Sequence, residues 1–438
     1  MEALNEQLLA KAHENKVVKT DKLRADTTVI PANVAYPTDS GLLAKGVAKM
    51  AAAAKKLKGL GLAARTTTRD RTRSVRRRAH DVAVWLRRRN GDAKQEVLAI
   101  TGELADIAEA AVAEARTLSR NARRGLARRG EAASGKAKAL VADLERTASL
   151  MEQIIAQTRL RLAGEVPDGA SRVVSLHDAD ARPIKKGRLG KPCEFGFKGQ
   201  VVDNVDGIVV DHLIVKGNPP DAPMLKPAIE RVKARFGRAP KAVTADRGYG
   251  EAGVDAGLEA LGVKQVAIPR KGKPGAARRQ VQNSRRFRTL VKWRTGSEGR
   301  VSALKHNWEW GRSLMDGETG AQTWCGWGVL AHNSVKISGL IETKNNKKPT
   351  VAPRTPPSRP RLGPRAADHL RGHRHKPLPP DPALRLSPSR PTGPEGRKRR
   401  AGRSQKGRGT GPHGHTPATR QSTPTARCRR STYFFGTK

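Results

Sequence analysis

The run KAVTADRGYG, residues 241–250, carries the clearest fold signal in the chain. Its first half is a short apolar segment with Val243 and Thr244, which predicts a buried strand. Asp246 stands at the end of this strand, and glycines follow it at positions 248 and 250. An aspartate at the end of a buried strand is well placed to bind a metal ion, so we predict that Asp246 is a metal ligand at the edge of a sheet. The glycines would let another backbone approach this ligand closely.

The residues before this strand alternate between strand and helix patterns. Two β-rich runs, CEFGFKGQVVDN (193–204) and GIVVDHLIVK (207–216), are joined at Asp206-Gly207, which predicts a hairpin. Residues 221–236 follow as a predicted helix with Asp221 at its N-cap.

The residues after the strand continue the alternation. A helix is predicted at 251–262, a strand at 264–271 and a last helix around Glu298. Strands followed by this alternation are typical of an α/β fold with a sheet of mixed direction. We assign this predicted catalytic core to residues 166–342.

The N-terminal part of the chain predicts a different organisation. Residues 1–40 predict a short helix and a first strand, which contains Asp26. Residues 41–165 are rich in alanine, arginine and leucine, and their helical apolar spacing predicts three or more helices. The arginine clusters at 69–78 and 119–129 are interpreted as phosphate contacts, because an ordinary solvated helix face mixes charges of both signs.

The C-terminal zone, residues 343–438, has no apolar periodicity. From residue 351 onward it holds 15 of the 28 prolines, and 21 Lys or Arg against 3 Asp or Glu. Such a segment cannot bury enough surface to offset its chain entropy, so we expect a disordered tail. It is either a basic tail that adheres to DNA or out-of-frame translation of a GC-rich gene, and the abrupt change of composition favours the second.

The formal net charge of +46 predicts a polyanionic partner, because a large positive field concentrates phosphate. A membrane surface would also attract this charge, but no apolar run is long enough to span a bilayer and no signal peptide is evident. The cysteines Cys193, Cys325 and Cys428 are far apart in sequence, which favours reduced thiols in a cytoplasmic protein.

Three carboxylates on separate predicted elements could converge at the end of the sheet. They are Asp26, Asp246 and Glu298. Phosphodiester chemistry with two metal ions, roughly 4 Å apart, needs such a set, and Mg²⁺ prefers carboxylate oxygens. Arg294 and Lys305 lie four residues before and seven after Glu298, so a helix would present all three on one face. By spacing alone, an ordinary solvated charged face is the better interpretation.

Other polar and aromatic residues are weaker candidates. Five rival carboxylates are interpreted as turn and surface residues: Asp178, Asp180, Asp203, Asp206 and Asp211. His177 and His306 are interpreted as structural or phosphate-contacting, because two-metal chemistry needs no protein base. The tryptophans could stack on an unpaired DNA base, but core packing is the preferred role for most of Trp308, Trp310, Trp324 and Trp327.

Three runs resemble, in order, the catalytic blocks of bacterial insertion-sequence DDE transposases. They are ADTTVIPANVAYPTDSGLL (25–43), TADRGYG (244–250) and WRTGSEGRVSALKHNW (293–308). The third block of this group reads Tyr-x2-Arg-x3-Glu-x6-Lys, which Arg294, Glu298 and Lys305 fit without a gap. Val291 occupies the Tyr position, although Trp293 is close by. The resemblance covers roughly residues 1–342.

The resemblance implies an RNase H-like fold with Asp26 on the first strand, Asp246 on the fourth and Glu298 on a late helix. Residues 41–165 would be a basic helical insertion after the first strand. The implied reaction is cleavage at the ends of a mobile DNA element and joining of the freed 3′-OH to target DNA. Two Mg²⁺ or Mn²⁺ ions would be held by the three carboxylates.

The resemblance also implies partners and phosphate contacts. Arg247, Tyr249, Arg294 and Lys305 would bind phosphate. The partners would be terminal inverted repeats and target DNA, bound by a homo-oligomer at the bacterial nucleoid in the cytoplasm.

A second hypothesis is a decayed relative that only binds DNA. The chain starts 25 residues before Asp26, whereas members of this family usually carry a helical N-terminal domain that recognises element ends. We therefore expect an N-terminal truncation. The apparently intact triad favours the enzyme.

Overall fold

The computed structural model describes residues 1–88, 91–130, 134–188 and 191–346. Most of the tail and Cys428 lie outside these residues. Residues 343–346 belong to the last helix.

Helices come first along the chain, apart from one strand. They are α1 (Glu2–Glu14), followed by strand β1 (Lys22–Pro31), and then α2 (Asp39–Gly59), α3 (Thr72–Trp85), α4 (Ala93–Arg129) and α5 (Gly135–Leu162). The prediction of three or more helices in 41–165 is confirmed.

Strands and helices alternate in the second half. The order is β2 (Arg182–Arg188), β3 (Lys191–Asn204), β4 (Val209–Lys216), α6 (Ala222–Phe236), β5 (Ala242–Ala245), α7 (Val254–Ala260) and β6 (Gln265–Ala267). Four helices then complete the described chain: α8 (Ala276–Asn283), α9 (Arg285–Arg294), α10 (Gly296–Asn307) and α11 (Gly317–Asn346).

The strands form one sheet of mixed direction, as predicted. Its order is β2-β3-β1-β5-β6, and β4 also pairs with β3. Strand β1 pairs antiparallel with β3, whereas β1, β5 and β6 run parallel. Strand β2 was not predicted, because its sequence RPIKKGR lacks apolar alternation. Asp246 therefore follows the fifth strand in chain order and not the fourth.

The predicted hairpin between β3 and β4 is confirmed. The side chain of Asn204 accepts hydrogen bonds from the backbone N–H groups of Asp206 and Ile208, at 3.0 and 2.9 Å. Gly207 has a φ of +78°, a conformation that glycine adopts without a steric cost. The turn thus depends on both residues.

Alternation along β1 sends its side chains to two different cores. Leu23 and Ala25 pack with α1, α6 and α7 on one face of the sheet. Ile30 packs with residues of α10 and α11, such as Leu304 and Val329, on the other face. Arg24 and Asp26 share this second face, since they alternate with Leu23 and Ala25.

The helices between β1 and β2 build a core of their own. Its fully buried members include Leu43, Leu57, Leu104 and Leu144, which come from α2, α4 and α5. None of the helices described is both long and apolar enough to cross a membrane.

Candidate active site

Asp26 and Asp246 are brought together by parallel pairing of β1 and β5. The register runs from Lys22 opposite Ala242 to Ala25 opposite Ala245. Asp26 and Asp246 are the next residue of each chain segment, at the carboxyl end of the paired stretch. Both side chains line the same cleft, of about 950 Å³, with Thr27 and Thr28.

Both carboxylate oxygens of Asp26 are already hydrogen-bonded. Oδ1 accepts from the backbone N–H of Thr27 at 2.8 Å, and Oδ2 accepts from the hydroxyl of Ser297 at 2.8 Å. Burial raises the pKa of Asp26, and the nearby Asp246 raises it further. The two hydrogen bonds and the Arg294 guanidinium, 3.7 Å from Oδ2, partly oppose this increase in pKa.

Asp246 is fixed by the turn that follows it. Its Oδ1 accepts a hydrogen bond from the backbone N–H of Gly248 at 2.8 Å, which caps the short 3₁₀ turn Arg247–Tyr249. The local sequence Asp-x-Gly provides this bond by itself. A capping aspartate keeps its second oxygen available to the cleft.

The opposite wall of the cleft comes from the junction between α9 and α10. Arg294 is the last residue of α9, and Glu298 and Lys305 lie on α10. A break at Thr295 separates the two helices, so the single predicted helix is divided. All three residues nevertheless line the cleft that contains Asp26 and Asp246.

The three predicted carboxylates share this cleft without converging to ligand distance. Glu298 is exposed, whereas Asp26 and Asp246 are half-buried. Within the described residues, no group of three or more Asp, Glu, His or Cys side chains is close enough to hold a metal ion.

Arg247 and Tyr249 do not line the cleft. Arg247 donates hydrogen bonds to the carbonyls of Arg270 and Gly272, at 3.2 and 2.9 Å, and is exposed. Tyr249 is fully buried at 0% exposure, and its hydroxyl accepts a hydrogen bond from Gln200 at 3.1 Å. Its side chain is therefore not accessible to a phosphate in this structure.

Asp221 is an additional carboxylate of the cleft. It precedes α6 as predicted, but its side chain makes no capping hydrogen bond. Oδ1 instead lies 2.5 Å from Nζ of Lys198 and accepts from the Thr27 hydroxyl at 3.1 Å. The other oxygen faces Gly248, where an added Cβ would lie 2.5 Å away. The sequence signal Asn-Pro-Pro-Asp indicated a cap and gave no sign of this second position.

Three of the rival carboxylates are buried, so their predicted surface positions were wrong. Asp178, Asp203 and Asp211 are exposed by 2%, 1% and 4%. Asp203 binds Arg24, and Asp211 binds Arg231, in bidentate pairs. Both pairs join separate elements of the fold.

The predicted minor candidates have mostly structural surroundings. Trp310 is fully buried, while Trp308 and Trp324 pack against the same core. Trp327 is 54% exposed. His306 lines the cleft, and Nε2 of His177 lies 3.0 Å from Asp316. Cys193 and Cys325 are free thiols.

The arginines of α4 form two rows with different surroundings. Arg116 and Arg123 pair with Glu152 and Glu145 of α5. Arg120, Arg124 and Arg128, spaced four residues apart, are exposed. Arg120 donates to the hydroxyl of Thr117 at 3.2 Å, and the ion pairs between described residues of α4 and α5, such as those of Arg116 and Arg123, include none of these three arginines.

The site combines carboxylates at the ends of parallel strands with cations on a facing helix junction, an arrangement suited to phosphate chemistry. Residues 170–334 match the family described as Transposase DDE domain. This match supports a DDE transposase, the class that the second and third catalytic blocks within it indicated. The match includes Asp246 and Glu298 and begins after Asp26. No curated protein and no solved structure matches the chain.

Proposed function

We propose that this protein is a DNA transposase that cleaves the ends of a mobile element and joins the 3′-OH to target DNA. The observation that carries this proposal is the adjacency of Asp26 and Asp246 at the ends of β1 and β5. Arg294, Glu298 and Lys305 face them across the same cleft. The match to the Transposase DDE domain supports the same reaction class.

The strand order supports an RNase H-like core. Without β2, the order is β4-β3-β1-β5-β6, with antiparallel pairs on one side of β1 and parallel pairs on the other. In this arrangement, β1 is central and the third catalytic residue comes from a helix packed on one face. We propose that α2–α5 are an insertion into this core.

The donor set fits two hard divalent ions, Mg²⁺ or Mn²⁺, in its chemistry. Asp26, Asp246 and Glu298 would hold them, and such ions would activate the attacking oxygen and stabilise the leaving oxygen. Binding would require Ser297 to give up its bond to Asp26 and Glu298 to move inward. Both movements would be needed because, in the described structure, the three carboxylates stand apart and Ser297 is bonded to Asp26.

The chain's own cations would bind the substrate phosphates. Arg294 lies beside Asp26, and Lys305 is about two turns of α10 beyond Glu298 on the same wall. Arginine offers a planar fork to phosphate oxygens, and lysine acts as a point charge. We propose that Arg294 orients the scissile phosphate and that Lys305 holds a neighbouring one.

DNA beyond the cleft would contact the unpaired row of α4. Arg120, Arg124 and Arg128 neutralise no described carboxylate, so they are available for phosphates. We propose that element ends and target DNA are bound by a homo-oligomer at the nucleoid of a bacterial cytoplasm. The paired row, Arg116 and Arg123, would serve the packing of α4 on α5 instead.

A cleavage assay on three single variants tests the proposal. Pre-nicked or hairpin DNA is incubated with Mg²⁺ or Mn²⁺ and wild type, Asp26→Ala, Asp246→Ala or Glu298→Ala. We expect wild type to cleave and each variant to lose cleavage, while DNA affinity stays nearly unchanged in a chain with a net charge of +46. Wild-type cleavage by any one variant would remove that residue from the site.

The same assay distinguishes the proposed transposase from the second hypothesis, a remnant that only binds DNA. The absence of three converged carboxylates among the described residues favours this alternative. It predicts salt-dependent DNA binding without cleavage by the wild-type protein under any metal condition.

A further inference from the structure

We infer that Arg24 and Asp203 are positioning residues that hold the helix carrying Glu298 against the strand carrying Asp26. The inference rests on the proposed function and adds to it the device that sets the distance between two walls of the cleft. Neither residue lines the cleft, so neither is proposed to touch substrate or metal.

Arg24 and Asp203 form a bidentate ion pair. Nε of Arg24 donates to Oδ1 of Asp203 at 2.8 Å, and a terminal nitrogen donates to Oδ2 at 2.7 Å. The two residues lie opposite each other on β1 and β3. Their side chains are 8% and 2% exposed, so the ion pair is almost completely removed from water.

Arg24 also contacts the helix junction. Its remaining terminal nitrogen donates to the carbonyl of Trp293 at 2.9 Å, and the guanidinium stacks on the Trp293 ring, 4.7 Å from the centroid. Trp293 is the penultimate residue of α9, just before the break at Thr295. Arg24 therefore binds the junction at the point where one helix ends and the next begins.

The helix junction is connected to the site through Ser297 and Arg300. Ser297 bonds to Asp26, and Glu298 is the next residue. Arg300, one turn further into α10, donates to the same Asp203 at 3.3 Å. The carboxylate of Asp203 is thus bound by Arg24 from β1 and by Arg300 from α10. Glu298 lies between the two points of attachment, at Trp293 and at Arg300.

A role in stability alone does not explain this arrangement. A buried ion pair contributes little net stability compared with apolar residues of similar volume. What arginine adds is direction, because its planar fork binds one carboxylate with two nitrogens and leaves a third for the Trp293 carbonyl. Lysine has the charge without this geometry.

Gly296 allows a test that leaves both buried charges in place. A Cβ at Gly296 would lie 2.3 Å from a terminal nitrogen of Arg24, whereas a Cβ at Gly299 meets nothing within 4 Å. Both glycines are exposed residues of α10, so Gly296→Ala and Gly299→Ala are matched in chemistry and helix propensity. Only the first displaces the guanidinium from its partners.

We expect both variants to fold. Gly299→Ala should melt at or above the temperature of wild type, whereas Gly296→Ala should melt lower, because its guanidinium loses partners within a buried ion pair. Gly296→Ala should bind Mn²⁺, measured by electron paramagnetic resonance, at least tenfold more weakly than Gly299→Ala. It should also cleave DNA correspondingly more slowly. The amides of residues 295–298 should exchange hydrogen faster in Gly296→Ala than in Gly299→Ala. Arg24→Lys should reproduce the changes in Mn²⁺ affinity, cleavage and exchange, since it keeps the charge and loses the fork.

Equal Mn²⁺ affinity and equal amide exchange in folded Gly296→Ala and Gly299→Ala would overturn the inference. The exchange measurement distinguishes its failure from that of the proposed function. If wild type neither binds Mn²⁺ nor cleaves DNA, the proposed function fails, while faster exchange at 295–298 in Gly296→Ala still supports a positioning role for Arg24.

Discussion

The hydroxyl of Ser297 donates to Oδ2 of Asp26 at 2.8 Å, so one of the two carboxylate oxygens of Asp26 is bound to the facing helix. This bond joins the strand wall and the helix wall of the cleft without any ion. It also means that a metal ion at Asp26 would compete with a hydrogen bond from within the protein. Metal binding at this site therefore depends on whether Asp26 is ionised and whether it can exchange the Ser297 hydroxyl for an ion.

The raised pKa of Asp26 predicts a pH-dependent gain of stability in Asp26→Asn. Burial raises this pKa, so the folded state holds the proton more tightly than the unfolded state does. The stability contributed by the protonated group is present at low pH and is lost as the pH rises through the folded pKa. Without metal, Asp26→Asn should therefore melt at a higher temperature than wild type at pH 7, with no gain below about pH 4, near the unfolded value.

Asp21→Asn is the control with the opposite sign. A hydrogen bond from Lys241 lowers the pKa of Asp21, and Nζ of Lys241 lies 3.0 Å from the carboxylate. This stabilising contribution exists above the unfolded pKa and is lost as the pH falls through the folded pKa. Asp21→Asn should therefore melt slightly lower than wild type at pH 7. Thermal melts of both variants from about pH 3 to about pH 8, in the presence of a chelator, measure both effects. A lower melting temperature for Asp26→Asn at pH 7 contradicts the prediction.

Gly248→Ala should impair the site while leaving the fold intact. A Cβ at this position would lie 2.5 Å from Oδ2 of Asp221 and 2.9 Å from Oδ1 of Asp246, so one carboxylate must move. Asp221 is held by Lys198 and Thr27, and we expect Asp246 to be displaced. DNA cleavage should fall by at least tenfold. Gly257→Ala, where the nearest atom lies 3.5 Å away on Lys226, is the matched control and should cleave as wild type does. Similar activity in both variants would show that the carboxylates tolerate the change.

Removal of Arg120, Arg124 and Arg128, which form no ion pair with a described carboxylate, should weaken DNA binding and its salt dependence. The triple variant Arg120→Gln, Arg124→Gln, Arg128→Gln should reduce the slope of log affinity against log salt by up to about 2.7, from about 0.9 per phosphate contact. Fluorescence anisotropy with a labelled duplex, over a series of salt concentrations, measures this slope.

The matched control removes three charges elsewhere. Lys45, Lys136 and Lys138 are exposed on α2 and α5. Their triple replacement by Gln should change the slope by less than one. If the two triple variants lose affinity equally, binding follows net charge and no particular helix face contacts the DNA.

Removal of the tail should affect DNA affinity alone. A chain ending at residue 350 loses 15 prolines and 21 Lys or Arg against 3 Asp or Glu. It loses no periodic apolar segment. It should melt at the temperature of the full chain and cleave equally well with metal, while non-specific binding weakens. Paired thermal melts and cleavage assays decide this. A lower melting temperature after truncation would make the tail a structural element.

The sequence by itself determined the local features of this protein. The apolar run before Asp246 predicted a strand, Asp206-Gly207 predicted a hairpin turn, and the spacing in 41–165 predicted a set of helices. These signals are readable because side-chain periodicity and turn chemistry act between residues near each other in the chain. The DDE transposase class was indicated differently, by the resemblance of three runs, in order, to the catalytic blocks of that family.

Tertiary structure alone decided which of these residues meet. The parallel pairing of β1 with β5 sets Asp26 beside Asp246, and no local pattern encodes the pairing of strands so far apart in sequence. The sequence around Asp203 predicts a surface residue beside a hairpin, whereas the structure shows a buried residue that is bound by Arg24 of the neighbouring strand. Asp221 reads as a helix cap, but Lys198 and Thr27 offer its carboxylate stronger partners than the helix N–H groups do, and it turns into the cleft.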